Sequence, residues 1–575
     1  MQRAIFRSFA AVSAASLGGV AAQCDDEQRL TVGDYSRFVS RTTSTIWTVG
    51  KIVTHYKFSK SSSIEDKIKN AEKNLSLCQE VYTGDGSGGK QNQDEKERKN
   101  AVRIKEIQRN KVLEAADALA VLEDRHRSAP ASLNKHRWAA EEILRLCRRN
   151  KGCYIKIGQH LANLDYLLPA EYTQTLQELY NDSPVSSYPE VRELVLEELG
   201  AYPEEIFDAF DPKPLASASL AQVHTAVDKK TKKRVAVKIQ HPSVGLTAKG
   251  DIFVLTKVVR FLESYFEEFT FGWLVDEIAP QIFLELDFAN EANNTRRAKK
   301  ELEAEFPGKV CVPEILAEYS TSRLMAMTFE EGFLATDVEK IERAGLKRED
   351  VSSLISSIFG FQVFTSGFVH CDPHPANLLV RPNPNTGAVQ VVLLDHGLYK
   401  TLGGEFMRDY ANLWTSIVMA DIDMMKSTCE KFGVTEMYPL LAAIITSRPF
   451  DEILDRRGGR RVKRTKKGKG DKAMIRMYAE RYMTSILHLL ETVPRDLLLL
   501  LKMNDCLRHI NSTLGADNNI TMEIQANWAL WGSAWQGEKR RWRIDARRWA
   551  EGWLKYLWGR ARVYVLFASL RWNGQ

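Results

Sequence analysis

Three short stretches of this chain carry residue types suited to holding phosphate and a divalent metal. The richest is His370-Cys371-Asp372-Pro373-His374-Pro375-Ala376-Asn377, where Asp and Asn stand five apart and a histidine lies two before the Asp. A carboxylate so placed can orient or deprotonate a hydroxyl acceptor, and an Asn oxygen can bind a hard cation. The two prolines fix φ at their own positions and stiffen the loop, and so many prolines and histidines together are not the make-up of an accidental polar turn. Eighteen residues after Asn377, an apolar run ends in Leu393-Leu394-Asp395-His396-Gly397. Alone, Asp-x-Gly is a common turn; at a strand end it frees a carboxylate to chelate Mg²⁺ between phosphates. Upstream lies Val235-Ala236-Val237-Lys238. If Val235, Val237 and Ile239 face a core, period-two geometry turns Lys238 to the opposite face, where it can meet a phosphate. Alone, such a lysine is usually just solvated.

In order along the chain these are a strand lysine, helix acids, Asp with Asn, then Asp-x-Gly. That order and spacing describe phosphoryl-transfer machinery better than any one piece does. The elements that must position them are readable in outline. Val223, Thr225 and Val227 alternate, a lysine-rich turn follows from Lys229 to Lys233, and the alternation resumes at Val235, which predicts a β-hairpin. Helical spacing returns from Asp251 to Glu305, and strand-like runs appear at Arg323 to Phe329 and Val389 to Leu394. Gly200 reads as the cap of the helix before it. Helices dominate after Gly404.

Composition narrows the function classes. The chain has 575 residues, a 44% apolar fraction and a net charge of +6. Ten Lys or Arg against one Asp between Arg456 and Lys472 supply more than that whole excess, so no nucleic-acid partner is indicated. The eight cysteines are scattered with no Cys-x-x-Cys pair, which argues against a zinc site or a disulfide framework. No apolar run reaches the length of a spanning helix.

The motifs together resemble the UbiB (aarF-domain) family of atypical kinases. Lys156-Ile157-Gly158-Gln159 resembles the family's Lys-x-Gly-Gln motif, with Lys156 and Gln159 on one helix face. Ala216-Ser217-Ala218-Ser219, within Pro214 to His224, resembles the Ala-rich loop that replaces a glycine-rich loop. Glu285-Leu286-Asp287, followed by Glu291, resembles the Glu-x-Asp motif of the helix that pairs with the strand lysine. The likeness covers roughly 150–443. Ser217 stands where the family commonly has a second Ala, and Ala376 where Gly usually precedes the Asn; both are small. The resemblance implies an α+β, protein-kinase-like bilobal fold with helical N-terminal and C-terminal extensions. It implies ATP or ADP and Mg²⁺ as cofactors. Lys238 would contact phosphates and pair with Glu285 or Glu291, an alternative the residues leave open. Asn377 and Asp395 would hold Mg²⁺, and Asp372 would orient or deprotonate the acceptor. Met327 and Glu330 would lie behind the adenine, with Asp287 beside the nucleotide site, and Lys156 and Gln159 would sit over the cleft.

After Gly397 the chain goes straight to a helix, with no long activation segment and no Ala-Pro-Glu, which disfavours a peptide acceptor. Residues 1–30 carry Arg3, Arg7 and several Ser with no acid before Asp25, a mitochondrial presequence pattern, with a secretory signal as the rival. The further divisions expected are a helical region at 31–149 with a flexible loop at 82–100, the Lys-x-Gly-Gln extension at 150–210, an N-lobe at 211–332, a C-lobe at 333–450, a basic loop at 451–475 and a helical end at 476–575. The basic loop reads either as a solvated insertion or as an anionic-lipid contact, at about 1 kcal/mol per basic residue. Eight of the twelve tryptophans lie between Trp528 and Trp572 among arginines, a composition suited to a bilayer interface or to packing on the core. The expected function is an atypical kinase or ATPase at a mitochondrial membrane, supporting quinone or membrane-lipid homeostasis, with anionic lipid and a lipid or quinone-precursor ligand as partners. The alternative is a nucleotide-binding scaffold without turnover.

Overall fold

A computed structural model describes chiefly residues 32–58, 134–266, 271–446, 492–535 and 556–564, with short gaps. The expected presequence, the 82–100 loop, the basic run and Trp542, Trp549 and Trp553 lie outside the described residues.

The leading helices among the described residues include α1 (Val32–Phe58), α2 (Lys135–Asn150), α3 (Cys153–Ala162) and α4 (Ala170–Leu176), the last continued by a 3₁₀ turn, Gln177–Tyr180. α1 is pinned to the body by the Arg41 guanidinium, whose Nε lies 2.8 Å from Asp251 Oδ1 and whose Nη1 donates to the Asn150 carbonyl. Helix α5 (Tyr188–Leu199) follows its sequence signals. Glu190 accepts the Ser187 backbone N–H at 2.8 Å, and Gly200 takes φ 73 at the C-cap, a left-handed position that glycine fills without strain.

The chain then builds β1 (Phe207–Phe210), β2 (Ala216–Ser217), β3 (Ala221–Asp228) and β4 (Arg234–Gln240). After them come α6 (Pro242–Tyr265), α7 (Gly272–Glu285), α8 (Phe288–Glu305), β5 (Val310–Cys311), β6 (Ile315–Ser320) and β7 (Leu324–Thr328). α6 begins at Pro242, ahead of the Asp251 expected from spacing, because proline is well suited to a first helical turn. The hairpin forms as expected, with β3 and β4 antiparallel and Val223 opposite Lys238. The full sheet has the order β1-β3-β4-β7-β6, with β2 also on β3. Its two faces are covered by different helices. Val235, Val237 and Ile239 pack with Val191, Leu194 and Val195 of α5. Ala221, Met325 and Met327 pack with Phe288 and Ala292 of α8. Cross-strand register puts Ala216, Val223, Lys238 and Met325 in one row on this second face.

The remaining elements are β8 (Phe333–Leu334), α9 (Val338–Arg343), α10 (Arg348–Phe361), β9 (Phe368–His370), β10 (Leu378–Pro382), β11 (Val389–Leu393) and β12 (Tyr399–Thr401). Helices α11 (Gly404–Met419), α12 (Ile422–Lys431), α13 (Tyr438–Thr446), α14 (Arg495–Thr513) and α15 (Asn518–Trp535) complete them. One large apolar core runs through this half, from Leu302 and Val310 through α10 and α11 to Leu497, Leu507, Ala526 and Ala529 of the last two helices. Trp528 of α15 meets the rings of Phe361 and Phe306 at 5.8 and 6.3 Å, so this member of the tryptophan cluster is packing material. A short helix at 556–564 lies on α15 through Tyr556 and the buried Val563, and leaves Leu557, Trp558 and Tyr564 exposed. Among the described residues no helix is long and apolar enough to cross a membrane.

Candidate active site

The site starts from a helix break. α7 ends at Glu285, and Asp287 caps α8 by accepting the Asn290 N–H at 3.1 Å. This cap fixes the first turn of α8 and puts Glu291, 1% exposed, against the cleft face of the sheet. There Lys238 Nζ lies 2.7 and 2.8 Å from the two Glu291 oxygens and 3.4 Å from Asp395 Oδ2. The choice left open in the sequence is thereby resolved in geometry: Glu291 partners Lys238. Glu285 instead partners Lys156 of α3, with 2.6 Å between Nζ and Oε2. Burial works to lower the Lys238 pKa, and the Asp395 and Glu291 carboxylates outweigh it, so the amine is held above its ordinary range. Burial pushes Glu291 up to about 7 against the pull of Lys238.

Asn377 and Asp395 converge because β10 and β11 form a hairpin. Its register sets Leu378 opposite Leu393, and the Leu394 N–H donates to the Asn377 carbonyl at 3.0 Å. The two oxygen-bearing side chains are therefore carried at one end of one strand pair. The Gly397 N–H donates to Asp395 Oδ1 at 2.9 Å. Burial would raise Asp395, and Lys238 and this backbone donor instead bring it down to about 2.

The Asp372 loop hangs between β9 and that hairpin. β9 pairs with β12, setting His370 opposite Tyr399, and the Asp372 N–H donates to His370 Nδ1 at 3.1 Å. The His374 N–H returns to the Asp372 carbonyl at 2.7 Å, closing a tight turn ahead of the 3₁₀ segment Pro375–Asn377. Burial opposes ionisation of Asp372, but Lys502 and Lys156 hold its carboxyl far below the usual range.

Other expected residues are placed differently from one another. Ser217 sits on β2 with its hydroxyl on the Pro184 carbonyl, and the Ala218 carbonyl faces His241 Nε2 at 3.0 Å. Ser219 is buried at the turn into β3. Met327 lies on the cleft face, whereas the Glu330 carboxylate is committed to Arg381 at 2.9 Å and ties the linker to β10. Gln159 is tied to the turn that follows α4. Its Nε2 donates to the Leu179 carbonyl at 3.1 Å and its own carbonyl accepts from Tyr180 OH at 3.0 Å. The Tyr180 ring in turn stacks on His374 with centroids 6.0 Å apart. Asp287 acts as the helix cap described above.

Sequence reasoning missed Lys502 of α14, whose Nζ lies 3.4 Å from Asp372 Oδ1. Its signal was a lone ionisable residue after Leu497-Leu498-Leu499-Leu500-Leu501. It also missed His160, whose buried Nε2 has no hydrogen-bond partner.

A lysine held by a helix glutamate under a twisted antiparallel sheet, above a loop Asp–Asn pair and a strand-end Asp, defines a kinase-like bilobal protein. The ABC1 atypical kinase-like domain profile matches residues 178–429. The chain is 42% identical to mouse AarF domain-containing protein kinase 1 over 383 residues, 66% of this chain and 71% of that protein. Against the Drosophila AarF domain-containing kinase 1 it is 39% identical over 387 residues, 67% of this chain and 73% of the relative. A solved Mycobacterium tuberculosis protein in complex with erythromycin aligns at a TM-score of 0.42 and 22% identity, covering 66% of this chain and 92% of that one. The chain belongs to the ABC1/AarF family of atypical kinases.

Proposed function

We propose that this protein binds Mg-ATP between the cleft face of the sheet and the Asp372–Asn377 loop, and transfers or releases its terminal phosphoryl group. One observation carries the reading: Lys238 sits within hydrogen-bond reach of Glu291 and beside Asp395, which itself neighbours Asn377 through the β10–β11 register. Asn377 and Asp395 supply the hard oxygen donors that suit Mg²⁺, and the ion would neutralise phosphate charge there. Lys238 would exchange its longer contact, to Asp395, for phosphate oxygens. Asp372, kept ionised, orients the acceptor oxygen and accepts its proton late in transfer.

The acceptor is small or lipid-like. Two features support this: the Lys156–Glu285 pair bridges α3 to α7, and Tyr180 stacks on His374 at the mouth of the loop, both where a peptide would need room. We place the activity on a mitochondrial membrane, in quinone or membrane-lipid homeostasis. The presequence-like N-terminus and the exposed Leu557, Trp558 and Tyr564 beside Arg560 and Arg562 support that setting.

The test is ATP turnover by chain lacking its first thirty residues, with and without cardiolipin-containing liposomes, beside Asp372→Asn. Lipid-stimulated turnover lost in the variant supports the reading. Asp395→Asn should abolish Mg²⁺-dependent nucleotide binding, and unchanged affinity across an Mg²⁺ titration would sink the metal assignment. A nucleotide-sensing scaffold is the second reading. It is favoured by the cations around Asp372, which make its carboxylate a poor base; tight Mg-nucleotide binding without turnover would establish it.

A further inference from the structure

Lys502 comes from none of the elements that build the rest of the site. It lies on α14, among Leu497, Leu500, Leu501 and Met503, all buried in the core of the helical half. Its own side chain is only 28% exposed and points at Asp372, 3.4 Å away. Desolvating an ammonium costs several kcal/mol, roughly, unless a charge answers it. The helix that carries it is fixed at a second point, since Asp496 in its first turn pairs with Lys400 of β12 at 2.9 Å. β12 is hydrogen-bonded to β9, which leads into Asp372. One helix therefore touches both limbs of the site.

The other lysines nearby face carboxylates away from the Asp372 side chain. Lys238 is shared by Glu291 and Asp395, and Lys156 is taken by Glu285. The stretch from His370 to Asn377 contains no Lys or Arg. Phosphoryl transfer spreads negative charge over three equatorial oxygens, and a cation beside the acceptor-orienting group is what stabilises it. His160 completes the surroundings. Burial and the two lysines keep its imidazole neutral, and its Nε2 is unpartnered.

We propose that Lys502 is the ligand of the γ-phosphoryl group: it leaves Asp372 for the terminal phosphate oxygens when ATP is bound, so α14, which lies beyond the matched residues 178–429, supplies a catalytic residue to the kinase-like domain. The inference rests on the Mg-ATP reading above and deepens it. In the step, the bond from the γ-phosphorus to the bridging oxygen breaks and its electron pair leaves with ADP. A bond forms from phosphorus to the oxygen of a hydroxyl acceptor or water, whose proton passes to Asp372. Lys502 stays protonated and acts by charge alone.

The experiment measures the Kd of full-length protein for Mg-ATP and Mg-ADP, together with single-turnover phosphate release. Wild type should prefer ATP. Lys502→Met should weaken ATP by about tenfold while leaving ADP nearly unchanged, and should slow turnover by about a hundredfold. Lys502→Arg should recover part of both. Equal ATP and ADP affinities relative to wild type, or faster turnover, would make Lys502 a tether on Asp372 and overturn the inference. If Lys502→Met does not fold, Lys502→Arg decides: a change in ATP affinity without one in ADP upholds the contact, and parallel changes refute it. A wild type that binds no Mg-nucleotide sinks the reading of the site itself and this inference with it. A wild type that binds both nucleotides beside an indifferent variant sinks this inference alone.

Discussion

Glu291 and Glu285 stand six residues apart on either side of one helix break, yet they do different work. Glu291 is 1% exposed and holds Lys238, so truncating it strands a buried ammonium. Glu291→Ala should cost about 3 kcal/mol of folding stability, read by denaturant titration, and should also weaken nucleotide binding. Glu285→Ala should spare Lys238 and release α3 instead, which limited proteolysis near 150–180 would report. The buried imidazoles give a pH test. His396 is 0% exposed, and burial brings its pKa down to about 3 from an ordinary 6.5. The folded state therefore refuses a proton that the unfolded chain accepts below about 6.5. This contribution is complete above that pH and is lost progressively as pH falls towards 3. Glu291, raised by burial, acts in the opposite sense, so the comparison must be between wild type and His396→Gln. The difference in their Tm should shrink between pH 7 and pH 5, and a constant difference would refute the assignment. Lys238, Asp372, Asn377 and Asp395 were legible in the sequence because their chemistry is written in short motifs. The partner of Lys238 was not, because only the Asp287 cap decides which acid faces the sheet.

Among the elements, two glycines govern how closely helices approach. A Cβ on Gly158 would stand 2.3 Å from Leu179 Cδ1, and one on Gly360 would stand 2.5 Å from Trp528 Cδ1. Gly158→Ala crowds the Leu179 side chain in the Gln177–Tyr180 turn, next to the ring on His374. It should cost about 1–3 kcal/mol and lower turnover, while Mg-nucleotide affinity changes little. Gly360→Ala should destabilise by a similar amount with both activities intact in the surviving fold; thermal melts beside the binding assay separate the two. The hairpin β3–β4 was visible in its alternation, and β7 and β11 in their apolar runs. β10 was not, since Leu378-Leu379-Val380-Arg381-Pro382 is short and follows directly on the polar loop. Its pairing is dictated by the turn after Pro382 rather than by its own pattern.

At the scale of the molecule, the last helices belong to the core and not to a detachable tail. Removing 527–575 to test membrane contact would cut through α15 and expose Phe361 and Phe306. The informative variant is Leu557→Ser with Trp558→Ser, whose side chains are 53% and 64% exposed. It should leave Tm unchanged and reduce co-sedimentation with cardiolipin liposomes; full retention on the vesicles would exclude this surface. Sequence patterning left that core role as one of two readings, because tryptophans among arginines suit a bilayer boundary and a helix packing face equally well. The shared core has a genetic and biosynthetic side. A ribosome releases the chain from its N-terminus, and the helical half cannot close until α14 and α15 have emerged. A nonsense codon placed anywhere before Trp535, even well past the matched domain, should behave as a complete loss-of-function allele. The nascent polypeptide will rely on chaperones until its final stretch is synthesised.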